Sequence, residues 1–278
     1  MMRKLWKYMN NKYTRYVAAP YLIWSVGFII IPLCLVLYYA FTNADGAFTI
    51  DNVADIISYV NIKALLLSIA FSLASTLLCL LIAYPLAVVL SSVISTNSSI
   101  LSLLFILPMW MNSLLRTYAW QNILERKGVI NGFLTALNLP PLYIINKPPA
   151  ILLGMVYDFL PFMILPVYNS VSRIDKDLIN AARDLGAGYR DIFFRVIWPL
   201  SLPGVISGIT MVFVPSLTTF VISDILGGGK ILLIGNVIEQ LFTQDSDWNA
   251  GAGLSAVLMI FIVISMVITS KYDKEDIR

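Results

Sequence analysis

The sequence predicts an all-α membrane protein with six transmembrane helices, and three observations carry that fold class. Of its 278 residues, 59% are apolar or aromatic and 13% are charged, whereas an ordinary soluble domain carries about 25% charge. The mean hydropathy of +0.81 excludes an ordinary soluble enzyme, a nucleic-acid-binding domain and a disordered chain. The apolar residues gather in six runs, each long enough to cross a hydrocarbon core about 30 Å thick, which takes roughly 20 helical residues. Lysine and arginine cluster before the first run, between the fourth and fifth and after the sixth, which fits the positive-inside rule, while the loop 91–99 carries no charge and argues for neither side. Strand-like alternation is absent, which argues against a β-barrel.

The chain opens on a basic segment, residues 1–16, carrying Arg3, Lys4, Lys7, Lys12 and Arg15. The first span, about Val17–Phe41, is longer than the apolar region of a signal peptide, and Tyr38-Tyr39-Ala40-Phe41 is a poor cleavage site, so it reads as a retained helix. Spans two to four follow at about Ala64–Leu90, Ile100–Trp120 and Pro149–Val171. The fifth, about Val196–Ile222, contains Pro199, Pro203 and Pro215, which read as kinks because membrane helices resatisfy freed carbonyls through neighbours. The sixth is about Gly251–Ser270, and a tail, residues 271–278, ends the chain. Residues 17–270 read as one transmembrane domain without an internal repeat.

The loop 172–195 carries Arg173, Lys176, Arg183, Arg190 and Arg195, and the tail carries Lys271, Lys274 and Arg278. With six spans these share a side with the basic N-terminal segment, so both termini are expected in the cytoplasm. Lys63, Arg116, Arg126, Lys127, Lys147 and Lys230 lie opposite or at that edge. The sequence contains no histidine, and Cys34 and Cys79 both sit inside apolar runs. Histidine-based catalysis, a disulfide framework and a cysteine-rich metal site are therefore excluded, and no metal or cofactor is expected. Gly227-Gly228-Gly229-Lys230 precedes Ile231 and lacks the Ser or Thr of a phosphate loop. The chain thus reads as non-catalytic, and a net charge of +3 gives no argument for a nucleic-acid partner.

The most informative segment is Asp175–Pro199, DKDLINAARDLGAGYRDIFFRVIWP. Leu178, Ala181, Ala182 and Leu185 recur at helical spacing on one face. Asp175 is placed to start that helix and Gly186 or Gly188 to end it. Two readings fit the pattern: an amphipathic helix at the membrane interface, or a docking helix whose apolar and alanine surface seats in a partner's groove.

Asn180-Ala181-Ala182, then Gly186, then Val196-Ile197-Trp198-Pro199 resembles the EAA loop of permease subunits in ATP-binding-cassette importers. That pattern is Glu-Ala-Ala, Gly and Ile-x-Leu-Pro, and the spacing here matches at every element. Asn180 stands where the family has glutamate, and Trp198 where it has leucine. The stretches Leu107–Tyr118, Leu160–Tyr168, Ala181–Ala187 and Ser223–Ile238 narrow the resemblance to spermidine/putrescine permeases, the PotB-type membrane subunit more than the second. It runs from about Pro20 to Ser270. The resemblance implies a type I importer transmembrane domain, MetI-like, with a cytoplasmic coupling helix, in a bacterial cytoplasmic membrane. It implies two copies of an ATPase subunit, a second homologous permease, an external polyamine-binding protein and a polyamine substrate. ATPase coupling then falls to Asn180, Ala181, Ala182, Asp184, Leu185, Gly186 and Pro199.

Asp158 lies inside span four, where a charge faces protein or water rather than lipid. It fits two roles: a cation contact on the substrate path, or a structural pairing with Arg116 of span three. Arg116 itself is a poor ligand for a polycation. Trp110, Tyr118, Tyr157 and Trp120 offer cation–π faces for an amine, or belong to an interfacial aromatic belt. The alternatives to a polyamine importer subunit are an importer permease for another small solute, and a stand-alone cation channel or proton-coupled carrier using Asp158.

Overall fold

The computed structural model describes residues 20–93 and 107–275. The basic segment 1–16, residues 17–19 of the first span, residues 100–106 of the third and the end of the tail lie outside the described residues. The helices are α1 (Pro20–Ala40), α2 (Tyr59–Val93), α3 (Ser113–Leu124), α4 (Val129–Ala136), α5 (Pro148–Ser172), α6 (Lys176–Asp184), α7 (Tyr189–Thr218), α8 (Val221–Gly227), α9 (Ile234–Thr243) and α10 (Trp248–Glu275). Among the described residues, five of these (α1, α2, α5, α7 and α10) are long and apolar enough to cross a membrane.

The third expected span, 100–120, is described only in its later part. There a turn of 3-10 helix, Leu107–Trp110, gives way at Met111 to an extended Asn112, whose side chain caps α3 by accepting from Leu114 N at 2.8 Å. An asparagine at this position satisfies an orphan N–H of the new helix, so the chain restarts rather than running straight through. The fifth span begins earlier than the expected 196–222, at Tyr189, and stops at Thr218, where Thr219 turns extended before α8. Its prolines do not interrupt it.

Two π-helical turns lie in these spans, Val26–Ile30 in α1 and Phe193–Ile197 in α7. After each comes one residue, Ile31 or Trp198, that donates five residues back, and then a proline, Pro32 or Pro199. A proline ring presses on the carbonyl four residues before it, and widening the preceding turn relieves that overlap without breaking the helix.

The described residues form two compact units, one of residues 20–58 with 241–260 and one of residues 59–93, 107–240 and 261–275. In the first, Ala40, Ala252 and Ala256 form a small-residue core. Carbonyls at and just beyond the end of α1, where the helical ladder stops, accept from two asparagines. Asn52 Nδ2 donates to Thr42 O at 2.8 Å and to Ala40 O at 3.3 Å, and Asn249 Nδ2 donates to Tyr39 O at 3.3 Å.

The second unit is built on α2, α5 and α7, each packed against the other two. Their core holds Cys79 and Ala83 from α2, Met163 and Val167 from α5, and Val205 and Val212 from α7. The α5–α7 seam depends on two glycines one turn apart. A methyl on Gly204 would overlap Ser170 and the Pro166 carbonyl, and one on Gly208 would lie 2.6 Å from Met163 Sδ. Small residues at this spacing let helix backbones approach closely. A second core at the other end of α5 joins Ala150, Ile151 and Met155 to Leu124 of α3 and Ile222 and Leu226 of α8.

Candidate functional site

Helix α6 stands between α5 and α7 with both ends fixed by its own sequence. Asp175 Oδ1 accepts from Asp177 N at 2.9 Å and caps the start. At the other end Gly186 takes a φ of +81°. Its N–H donates to Arg183 O at 2.8 Å, and Ala187 N–H donates back to Ala182 O at 3.0 Å. These paired bonds form a Schellman closure, which needs a left-handed residue and so favours glycine. Gly188 is extended at the start of α7, so of the two glycines it is Gly186 that ends the helix.

No residue of α6 is buried. Leu178, Ala181, Asp184, Leu185 and Gly186 are exposed, Leu185 at 88%, and Ala182 is partly covered. The expected stripe is therefore open on its outer side. The opposite side of the helix was not foreseen from the stripe: Ile179, Asn180 and Arg183 line a cavity of about 470 Å³ together with Val171 of α5 and Ile192 and Phe193 of α7. Pro199 stands apart from α6, two residues after the end of the π-turn of α7.

Asp158 and Arg116 meet. Arg116 Nε lies 2.7 Å from Asp158 Oδ1, both side chains being 10% exposed. The guanidinium also donates through Nη1 to Pro108 O at 2.7 Å, and it sits 5.9 Å from the Tyr157 ring centroid. Trp120 meets Tyr157 edge-on at 5.1 Å. The Pro108 carbonyl belongs to the 3-10 turn before α3, where it also accepts from Met111 N at 3.4 Å, so that turn supplies part of the arginine's shell. Asp158 is eleventh of the 25 residues of α5, about 15 Å from one end and 21 Å from the other at 1.5 Å per residue. A charge at that depth needs a partner, and Arg116 provides it. Trp110 and Tyr118 do not join this cluster; their side chains are 76% and 49% exposed.

The segment after α8 is tightly folded. Gly228 and Gly229 both adopt positive φ, +60° and +68°, and a side chain on Gly228 would overlap Asn146. Asn236 pins the loop: its Oδ1 accepts from Leu233 N at 3.1 Å and from Ser223 Oγ at 2.5 Å, and its Nδ2 donates to Phe220 O at 3.1 Å. Ile234 N donates to Ser68 Oγ of α2 at 2.8 Å. Asn236 and Ser68 were not foreseen, since a lone polar residue in an apolar run carries no sign of which loop it closes.

Residues 47–273 match the family described as the binding-protein-dependent transport system inner membrane component, and the chain belongs to that family: it is a multi-pass membrane permease. Among its relatives, it is 36% identical over 276 residues to the spermidine/putrescine transport system permease protein PotB of Haemophilus influenzae, covering 96% of each chain. It is 38% identical over 253 residues to PotB of Escherichia coli K12, covering 88% of this chain and 92% of the relative. In fold it resembles a chain of a bacterial ABC transporter involved in the import of the acidic polysaccharide alginate. That match has a TM-score of 0.73 at 18% identity and covers 98% of this chain and 100% of that one.

Proposed function

We propose that this chain is a membrane-spanning permease subunit of an ATP-binding-cassette importer for polyamines. It forms half of the translocation pathway with a second, homologous permease. Substrate arrives from an external binding protein, and two ATPase subunits hydrolyse ATP on the cytoplasmic side, where both termini and α6 lie. The substrate class rests on the likeness to PotB permeases over 96% of both chains. The coupling role rests on α6, a helix capped at both ends whose apolar stripe is exposed at Leu178, Ala181 and Leu185. Ala181, Ala182, Asp184, Leu185 and Gly186 form the docking surface, Asn180 on the inner side of α6 bears on the cavity against α5 and α7, and Pro199 with its π-turn carries displacement of α6 into α7.

For substrate, the geometry favours a bracing role for Asp158. Arg116 neutralises its carboxylate and ties α3 to α5, which argues against a stand-alone proton-coupled carrier built on that residue. Tyr157 holds the arginine from its ring face, and Trp110 and Tyr118 remain as the exposed aromatic faces for an ammonium group. The test is uptake of labelled spermidine by cells with and without this chain, with energy depletion and putrescine competition. Loss of energy-dependent uptake on deletion is the expected result. Unchanged uptake, with no other polyamine transporter present, overturns the substrate assignment and leaves the family standing.

A further inference from the structure

Helix α4, between α3 and α5, is folded inside out for a helix bathed in water. Its polar residue Asn131 is buried, while Val129 and Phe133, and Leu137 just after the helix, are exposed; Ile130 and Leu134 are half-buried. The Asn131 side chain donates through Nδ2 to Glu125 O at 2.9 Å and Leu142 O at 3.0 Å, and its Oδ1 accepts from Leu142 N at 2.6 Å. These bonds clamp both ends of the connection onto one side of α4. At roughly 100° per residue, Val129, Phe133 and Leu137 fall on one line, about 200° around the helix from Asn131. They are 73%, 66% and 54% exposed. The inward side is also apolar, with Ile130 packed into the core of α5 and α8. The edge of Val129, Phe133 and Leu137 therefore needs an apolar cover of its own, and the described chain supplies none.

The surroundings point to one cover. The helix is held at the end of α5 away from α6, where Pro148 begins a span long enough to cross a bilayer. Arg126 and Lys127 directly precede it and Lys147 closes the connection, on the side of the membrane that otherwise carries few cations. The Arg126 guanidinium lies 5.5 Å from the Tyr143 ring centroid, an amphipathic aromatic beside a cation, as found at the headgroup level. We infer that α4 is an interfacial helix whose Val129–Phe133–Leu137 edge inserts into the bilayer on the side opposite α6, with Arg126 and Lys127 on lipid phosphates. The leaflet, the outer one, rests on the proposed orientation; the insertion does not.

The test uses the assembled transporter in vesicles of phosphatidylethanolamine and phosphatidylglycerol, with Cys34 and Cys79 replaced by serine and transport first verified. A nitroxide is attached at Phe133→Cys, and in a separate sample at Lys230→Cys, an exposed loop position. Collisions with dissolved oxygen report lipid, and those with a water-soluble nickel chelate report solvent. Insertion predicts an oxygen-to-nickel ratio severalfold higher at 133 than at 230. It also predicts a fall in that ratio at 133 in Arg126→Gln/Lys127→Gln. Equal ratios at the two positions, or a label at 133 shielded from both reagents or newly shielded when binding protein is added, overturn the inference in favour of water or a protein partner. Nickel chelate added outside sealed vesicles of known orientation reaches the label at 230 only if that loop is external, so a failed orientation is read separately from a failed insertion.

Discussion

Gly186→Ala adds one methyl group at a backbone φ of +81°, and that methyl meets no atom of the chain within 4 Å. The cost therefore lies in the backbone, not in packing. Holding a non-glycine residue in the left-handed region costs about 1–2 kcal/mol, which shifts the ratio of closed to frayed α6 ends by about 5- to 30-fold. Fraying gives up the bonds from Gly186 N to Arg183 O and from Ala187 N to Ala182 O, so Leu185 loses its fixed place at the end of the docking stripe. The assay is spermidine transported per ATP hydrolysed in vesicles holding the whole transporter. The expected order of coupling is wild type, then Gly186→Asn, then Gly186→Ala, then Gly186→Leu, because asparagine tolerates the left-handed region better than alanine. ATP hydrolysis persists while transport falls. Wild-type coupling in Gly186→Ala and Gly186→Leu would refute the reasoning. Asn and Ala variants that fall equally would show that the open space at Gly186 is filled by a partner, and the capping argument would fail.

Breaking the Arg116–Asp158 pair from one side is expected to destabilise the permease by about 3–5 kcal/mol, since it leaves a buried charge alone. Arg116→Gln/Asp158→Asn together should recover much of that loss, measured as thermal unfolding in detergent, and a double variant no better than the worse single would argue against mutual neutralisation. Gly204→Ala should cost about 1–3 kcal/mol through overlap with Ser170 and the Pro166 carbonyl. Gly132→Ala, with nothing within 4 Å, should be neutral or stabilising by up to about 1 kcal/mol; the same unfolding measurement separates the two. Leu185→Asp should weaken co-purification of the ATPase without changing the amount of permease in the membrane, and undiminished co-purification would remove Leu185 from the docking surface.

Five of the six expected spans are matched by long apolar helices among the described residues, because membrane crossing demands an apolar run of fixed length, a property of composition alone. The ends of α6 were legible for a different reason: Asp175 and Gly186 act on backbone groups a few residues away, so spacing suffices. What spacing does not carry is contact between distant segments. Arg116 and Asp158 lie 42 residues apart in the sequence, and their separate environments suited either a pair or a ligand. The restart of helix at Asn112 carried a cap signal, an asparagine followed by serine, but it lay inside a run read as continuous because of its hydropathy. Asn131 and Asn236 were missed because each closes a loop by accepting from and donating to backbone, a role that any buried asparagine could fill somewhere.

The ion pair also bears on how the chain enters the membrane. Arginine or aspartate at the centre of an isolated helix resists insertion by about 2.5–3.5 kcal/mol. Neither α3 nor α5 meets its counter-charge until the other is present, and α4 with its connections separates them in synthesis. The earlier segment carries Arg116 in the first turn of α3 and is made before the counter-charge that Asp158 supplies. Truncation between the two segments is therefore expected to leave an unpaired charge and a product that the cell's quality control removes.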